Sequence, residues 1–248
     1  MADSHVIADP RPNVRQLTIN RPDRRNALDR VTYRALGAAL TSAAADDTVH
    51  AVVLTGADGV FTAGNDLVDF QDVSDSGGPS AALDFLGVVS TFAKPLIAAV
   101  EGFAVGIGVT LLLHCDLAYA GRETRFRMPF TSLGLCPEGA STYLLPRIAG
   151  TKAAAELLMF GETFGADRAR EAGIVNAVTD DGASLETALE RAAALAALPV
   201  EPVLETKRLL RHATAGPVAE ALAIESESFQ KLRRAPAAQA AFAAFFRK

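Results

Sequence analysis

The sequence is poor in cysteine and has no long apolar run. Its only two cysteines are Cys115 and Cys136, too few for the disulfide framework of a small secreted protein, so they indicate a reducing compartment. No apolar run reaches the about 18 residues that a membrane-spanning helix needs. Residues 1–12 are polar and partly acidic, unlike a signal or transit peptide. These absences predict a cytoplasmic protein with no membrane partner.

Several motifs of metal, nucleotide and hydrolase chemistry are also missing. There is no HExxH pair and no Cys-x-x-Cys, and the four histidines are scattered, so we expect no metal site. The sequence has no GxSxG elbow and no Walker motif. The formal net charge is −5, which gives no support to nucleic-acid binding.

Apolar periodicity predicts an α/β core that is followed by helices. Half of the 248 residues are hydrophobic, enough for a sizeable core. Strand patterns occur at 14–20, 50–55, 96–100, 116–120 and 173–178. Helical patterns occur after Asp29, a typical N-cap, and at 81–92, 142–147, 152–160, 184–198, 202–212, 217–234 and 236–246. Since only helices follow residue 180, we expect a core domain at 1–197 and a C-terminal helical region at 198–248.

The last predicted helix carries an apolar edge. It is formed by Phe242, Phe245 and Phe246. Such an edge docks on the core or on a neighbouring subunit.

The stretch from residue 95 to residue 141 carries the candidate chemistry. A strand pattern leads into Gly106-Ile107-Gly108 and then into an apolar, helix-like run. Unpaired N–H groups at such a helix start favour negative charge. The dinucleotide fingerprint is incomplete, because Leu111 stands where a third glycine is required. Glu138 follows on a Pro-Glu-Gly turn, and it is either an exposed turn residue or a proton-transferring carboxylate.

Two earlier segments have alternative interpretations. Residues 1–34 contain seven arginines, whereas residues 35–100 contain one cation and eight acidic residues. The arginines are either a solvated loop or a site for a specific anionic ligand. FTAGNDL at 61–67 is a strand edge with a glycine turn, and in the simpler interpretation Asp66 only caps a short helix. Residues 71–80 have the strongest loop composition and are expected close to the site.

Three segments together resemble the crotonase superfamily, also called enoyl-CoA hydratase/isomerase. They are FTAGNDL, KPLIAAVEGFAVGIGVTLLLHCDLAYA and FRMPFTSLGLCPEGASTYLLPRIAG. Within the superfamily, the chain is most similar to the monofunctional, peroxisomal-type delta-3,delta-2-enoyl-CoA isomerases of fatty acid beta-oxidation. The resemblance implies a spiral of ββα turns with a C-terminal helical trimerisation region, assembled as a homotrimer or hexamer.

The resemblance also assigns roles to residues of this chain. It implies an oxyanion hole made by the backbone N–H groups of Asn65 and Ile107. The two glutamates of the hydratases fall at Thr110 and Phe130, so both carboxylates are absent, whereas the single glutamate of the isomerases falls at Glu138. The implied substrate contacts are Arg24, Arg25, Ala27, Ala63, Gly64, Asp66, Leu67, Gly106, Thr110 and Phe130.

Three functions remain open at this point. The first is isomerisation of a 3-enoyl-CoA to the trans-2-enoyl-CoA, with Glu138 as the base. The second is hydration of an enoyl-CoA or another crotonase reaction on an acyl-CoA. The third is binding of coenzyme A without catalysis. In none of these do we expect a separate cofactor, because coenzyme A is part of the substrate.

Overall fold

The structure is a computed structural model that describes residues 4–70 and 80–245, without the side chains of residues 69, 70 and 245. Its strands are β1 (Val6–Arg11), β2 (Val14–Ile19), β3 (Ala51–Gly56), β4 (Leu96–Val100), β5 (Phe103–Val105), β6 (Leu117–Gly121), β7 (Arg125–Arg127), β8 (Phe164–Gly165) and β9 (Ala177–Thr179). Its helices are α1 (Arg30–Ala45), α2 (Leu67–Phe70), α3 (Ala81–Thr91), α4 (Ile107–Thr110), α5 (Ser141–Ala149), α6 (Thr151–Phe160), α7 (Ala166–Glu171), α8 (Ser184–Ala196), α9 (Val200–His212), α10 (Ala215–Arg233) and α11 (Pro236–Phe245).

The strands form two sheets. The larger sheet has the order β1-β2-β3-β4-β6-β9, in which only the β1–β2 pair is antiparallel, and the smaller sheet has the order β5-β7-β8. All five residues of β4 are buried, as expected for a parallel strand covered on both faces. The chain moves from the larger to the smaller sheet between β4 and β5 and again between β6 and β7. This gives the spiral of the crotonase fold and confirms the predicted fold class.

Two apolar layers cover the faces of the larger sheet. On one face, Val53 and Ile97 pack against the alanines of α8, which recur at residues 188, 192 and 196. Their four-residue spacing puts small side chains on one side of the helix, so the helix lies close to the sheet. On the other face, Val52 and Leu54 of β3 join the main core together with Leu96, Ala98 and Val100 of β4.

The first long helix follows its predicted pattern. Asp29 caps α1, since its carboxylate accepts the backbone N–H of Thr32 at 2.8 Å. Leu36, Leu40 and Ala43 are buried as the helical spacing predicts, but Val31 is 59% exposed. The cap prediction is therefore confirmed, and the buried face begins at Thr32 and Tyr33 rather than at Val31.

Other predicted elements need correction. The strand predicted at 173–178 is confined to Ala177–Thr179, because Gly173 adopts a left-handed φ of 71° just after α7. Strand β1 lies in a segment for which no strand was predicted. The three-residue strands β5 and β7, the two-residue strand β8 and helix α7 were not predicted either. The loop prediction for 71–80 falls outside the described residues except at Ser80, which caps α3.

The C-terminal helices fold back onto the core of the same chain. Lys207 on α9 is buried and donates to the Asp116 carboxylate and to the Lys94 carbonyl, both at 2.6 Å. Phe242 on α11 is fully buried in the main core, so this part of the predicted apolar edge docks on the core; the side chains of Phe245 and Phe246 lie outside the description. The boundary predicted between residues 197 and 198 falls between α8 and α9, and the two-domain division stays a prediction. No helix in the described ranges is both long and apolar enough to cross a membrane.

Candidate active site

A cavity of about 520 Å³ lies between loops that adjoin the strands of both sheets on one side and α10 on the other. It is lined by the loop after β2, the segment that leads into the first residues of α2, and the end of β5 with Gly106. The end of β7 with the segment after it and one residue of α10 complete the lining. The structure thus brings together ten of the residues singled out in the sequence, namely Arg24, Arg25, Ala27, Ala63, Gly64, Asn65, Asp66, Leu67, Gly106 and Phe130. Ile107, Thr110 and Glu138 are buried and are absent from its lining.

Two backbone segments run side by side at the cavity wall. Thr62 pairs with Ala104 in parallel orientation, through hydrogen bonds from Thr62 N to Phe103 O and from Val105 N to Thr62 O, both 3.1 Å. Asn65 and Ile107, the two residues predicted to form the oxyanion hole, each lie three residues beyond this pair along their own segments.

Within the described residues, the backbone N–H groups at these two positions have no assigned hydrogen-bond acceptor. Leu28 pairs with Asn65 as a parallel bridge and uses Gly64 O and Asp66 N, which leaves the N–H of Asn65 facing away from Leu28. Ile107 is the first residue of α4, where N–H groups have no intrahelical acceptor. Across residues 4–70 and 80–245, no hydrogen-bond acceptor is assigned to either group. Both are free to donate to a ligand.

Two glycines allow the segments to approach this closely. A Cβ atom on Gly64 would lie 2.5 Å from Val105 O, and Gly64 has a φ of 83°. A Cβ atom on Gly108 would lie 2.5 Å from Cγ2 of Thr62. Any larger residue would push the two segments apart.

The side chains of Asn65 and Asp66 have structural partners. Asn65 Oδ1 accepts the Tyr33 hydroxyl at 2.6 Å. Asp66 binds Arg21 at 3.1 Å and accepts the N–H of Val68, also at 3.1 Å. The capping interpretation of Asp66 therefore holds in the structure, although the residue also lines the cavity. These contacts fix the backbone next to the free N–H of Asn65.

The two predicted arginines are held beside the cavity by backbone pairing. The Arg25 carbonyl accepts the N–H of Ala63 at 3.0 Å, and the buried Asn26 side chain donates to two carbonyls of the 57–60 turn. Arg24 and Arg25 are both exposed, and among the described residues the Arg24 guanidinium has one assigned ion pair, at 4.0 Å from Asp23. Their positive charge is therefore available to an anionic group at the mouth of the cavity.

Glu138 is a buried carboxylate in direct contact with Thr110. The Thr110 hydroxyl donates to Glu138 Oε1 at 2.6 Å, and both side chains are buried. Burial raises the pKa of Glu138 to about 7, the Thr110 hydrogen bond opposes that rise, and the nearby charge of Glu225 adds to it. A carboxyl group with a pKa near neutrality can both accept and return a proton. The alternative of an exposed turn residue is wrong.

The turn that carries Glu138 has an unusual backbone. Gly139 and Ala140 both have left-handed φ angles, 69° and 55°. The Gly139 carbonyl accepts Nε2–H of the buried His114 at 2.8 Å. Burial lowers the pKa of His114 to about 4, so the imidazole is neutral and acts here as a donor.

Sequence reasoning missed several residues of the cavity. Several of them lie close in sequence to predicted site residues, and this proximity was the signal that could have found them. They are Val105, Arg127, Pro129, Ser132, Leu133 and Leu135. Val68 follows Leu67 in the same way. Phe229 lies on α10, far along the chain, and no local pattern distinguishes it from other apolar residues of that helix. Its position depends on how α10 docks.

The fold and this site together define a crotonase-type protein. The chain belongs to the enoyl-CoA hydratase/isomerase family, whose family model matches residues 10–248. No group of three or more His, Cys, Asp or Glu side chains in the described ranges could hold a metal ion.

Three relatives illustrate the range of functions within the family. Enoyl-CoA delta isomerase 2 of Homo sapiens is 35% identical over 213 residues, which are 83% of this chain and 54% of that protein; the chain thus spans about half of its length. Probable enoyl-CoA hydratase EchA14 of Mycobacterium tuberculosis is 41% identical over 86% of this chain and 83% of that protein. The solved structure of Pseudomonas aeruginosa OdaA has a TM-score of 0.95 and 39% identity, covering 99% of this chain and 100% of that one.

Proposed function

We propose that the protein is a delta-3,delta-2-enoyl-CoA isomerase in which Glu138 is the only acid–base residue. The observation that carries this proposal is the buried Glu138–Thr110 pair, with the apolar Phe130 in the cavity wall. One carboxylate with a near-neutral pKa is sufficient to move a proton between two carbons, because it can accept the proton and then return it. The relative named as a delta isomerase supports this choice. The relative named as a probable enoyl-CoA hydratase supports hydration as a second candidate.

The reaction would proceed through an enolate. Glu138 takes a proton from the alpha carbon of a 3-enoyl-CoA thioester, and the electron pair spreads over the oxygen and the gamma carbon. The N–H groups of Asn65 and Ile107 donate to the oxygen, where one such donor typically contributes about 100- to 1,000-fold in rate. The Glu138 carboxyl group then returns the proton to the gamma carbon. The product is the conjugated trans-2-enoyl-CoA, and no separate cofactor takes part.

Enoyl-CoA hydration is the second candidate, favoured by the name of the mycobacterial relative. Addition of water needs a group that orients and deprotonates the water while another proton is delivered. Thr110 already donates its hydroxyl proton to Glu138, and Phe130 has no polar group. Hydration would therefore have to use Glu138 alone.

The first test compares both reactions in the wild type and in Glu138→Gln. With 3-enoyl-CoA as substrate, the wild type should produce the conjugated 2-enoyl-CoA, which is detected by its absorbance. With 2-enoyl-CoA as substrate, it should produce little 3-hydroxyacyl-CoA. Glu138→Gln keeps the shape but removes the base, so isomerisation should fall by about 100- to 10,000-fold. Binding of coenzyme A, measured by calorimetry, should be unchanged. Near wild-type isomerisation by Glu138→Gln would contradict the assignment, and a wild type that only hydrates would overturn the function.

We also propose that Arg24 and Arg25 bind the phosphates of the nucleotide part of coenzyme A. A charge-assisted hydrogen bond contributes about 1.5–3 kcal/mol, so Arg24→Gln/Arg25→Gln should raise KM by tenfold or more. Turnover should change little, because the phosphates are remote from the reacting carbons. Arg34→Gln is the matched control, since Arg34 is exposed on α1 and does not line the cavity. Unchanged calorimetric affinity of the double variant for coenzyme A would refute this role.

A further inference from the structure

Glu225 on α10 is a buried carboxylate that binds the turn next to Glu138. Its Oε2 accepts the backbone N–H of Ala140 at 2.6 Å, and its Oε1 accepts both the N–H of Thr142 at 2.9 Å and the Thr142 hydroxyl at 2.5 Å. In this arrangement the side chain only accepts. Burial raises the pKa of Glu225, and the hydrogen bonds from Thr142 and Ala140 oppose that rise by favouring the ionised form.

These hydrogen bonds fix the start of α5. Helix α5 begins at Ser141 after Ala140, whose left-handed backbone is costly for a residue other than glycine. The first N–H groups of a helix have no intrahelical acceptor, and a negative charge at this end is favourable. Glu225 supplies both the acceptor and the charge from a helix 83 residues further along the chain.

Three consecutive residues of the turn are thereby held from three different elements. Glu138 is bound by Thr110 of α4, Gly139 by His114 of the 3-10 segment Leu111–His114, and Ala140 by Glu225 of α10. Thr110 and His114 come from adjacent parts of the core. Glu225 is the one of the three that comes from the C-terminal helices, and Phe229, one helical turn later, lines the cavity.

We propose that Glu225 is a positioning residue, which holds the turn so that the Glu138 carboxyl group reaches the reacting carbons. This role rests on the proposed function of Glu138 as the base. A glutamine could not replace Glu225, because its NH₂ group would face an N–H donor. Thr142 is the partner that donates two hydrogen bonds to Glu225 Oε1.

The charge of Glu225 also acts on its neighbours. It contributes to the raised pKa of Glu138, after burial, and to the raised pKa of Cys136 on the same loop, also after burial. His114, which contacts this turn from the Leu111–His114 segment, is neutral because burial lowers its pKa to about 4. Loss of the Glu225 charge should therefore lower the pKa of Glu138.

The test uses Glu225→Gln, with Glu227→Gln as the matched control, because Glu227 is exposed on the same helix. A displacement of about 1 Å in a catalytic group can cost about 100-fold in rate. We expect kcat of Glu225→Gln to fall by about 10- to 100-fold with KM nearly unchanged, and the acidic limb of its pH profile to move to lower pH. Glu227→Gln should behave like the wild type. A folded Glu225→Gln with wild-type kcat and an unmoved limb would overturn the proposal.

Thr142→Ala keeps the test decisive if Glu225→Gln does not fold. Thr142 is exposed, and the variant removes only one of the three donors. A smaller fall in kcat at constant KM supports the proposal, and an unchanged kcat overturns it. Hydrogen exchange at the amides of Ala140 and Thr142 should accelerate in the Glu225 variant. This measurement tests the positioning of the turn independently of which reaction the protein catalyses. If the wild type does not isomerise 3-enoyl-CoA but exchange accelerates, the proposed function fails and the positioning of the turn stands.

Discussion

Glu138 is subject to opposing influences that together set its pKa near neutrality. Removal from water raises the pKa, and the hydroxyl of Thr110 lowers it again by stabilising the carboxylate. Without the Thr110 hydrogen bond the pKa of Glu138 would be higher, so a smaller fraction of the group would be ionised and able to act as a base. The Thr110 hydroxyl thus counteracts the effect of burial on the pKa of Glu138.

The pKa of about 7 predicts how the reaction depends on pH. The base must be ionised in the free enzyme, so kcat/KM for isomerisation should fall about tenfold for each pH unit below 7 and should level off above it. The measurement is a pH series of initial rates with 3-enoyl-CoA. A limb near the ordinary glutamate value of 4.5 would contradict the raised pKa.

Stability measurements provide an independent check on the same group. The pKa of Glu138 is about 7 in the folded state and near the ordinary value of 4.5 in the unfolded chain. The folded state therefore binds more protons between these values, and the contribution of Glu138 to stability is full below pH 4.5 and is lost as pH rises through 7. Relative to the wild type, Glu138→Gln should gain unfolding free energy between pH 5 and pH 8 in urea titrations.

At the level of the elements, the close contact between the 62–65 segment and α4 decides the geometry of the two N–H donors. Gly108→Ala would bring a Cβ atom within 2.5 Å of Thr62 Cγ2, so α4 must shift and isomerisation should fall. The helical Gly87 on α3 has no atom within 4 Å of such a Cβ. Gly87→Ala should therefore raise the unfolding free energy by about 0.5–1 kcal/mol, measured in urea, and leave activity unchanged. Equal activity in the two variants would contradict this account.

The elements that could be predicted from sequence are those with periodicity or a cap. Strands β3 and β4 are continuous apolar runs, and α1 has a typical cap at Asp29. Strand β1 was missed because five of its six residues are exposed, which leaves no alternation. Strands β5 and β7 are only three residues long, and they are defined by pairing with each other and, for β7, with β8.

Site residues, like the helices and strands, could be predicted from the sequence only where a local motif marks them. Asn65, Ile107 and Glu138 lie in local motifs, so their positions could be named from the sequence. Glu225 and Phe229 lie in a helix whose sequence shows only an ordinary apolar pattern. Their contribution depends on the docking of α10 against α3 and α5, and long-range docking of this kind has no local signature.

At the scale of the whole molecule, helices α6 and α9 leave apolar side chains exposed. Met159 and Phe160 at the end of α6 are each 69% exposed, and Leu209 and Leu210 on α9 are also exposed. Large apolar side chains that adjoin each other at a surface are typical of contacts between subunits. We propose that the chain assembles as a trimer or as a pair of trimers.

This assembly predicts a solution mass of three or six times the 26.0 kDa of one chain, measured by light scattering at micromolar concentration. Met159→Gln/Phe160→Gln and Leu209→Gln/Leu210→Gln should show which surface is used, because replacing a buried apolar contact with amides leaves polar groups without partners. Only the variant in the interface should lose mass, and the other serves as its control. Glu138 and its three supporting residues all belong to one chain, so a dissociated variant should keep the Glu138 turn and part of its activity. A wild-type mass of a single chain would refute the assembly.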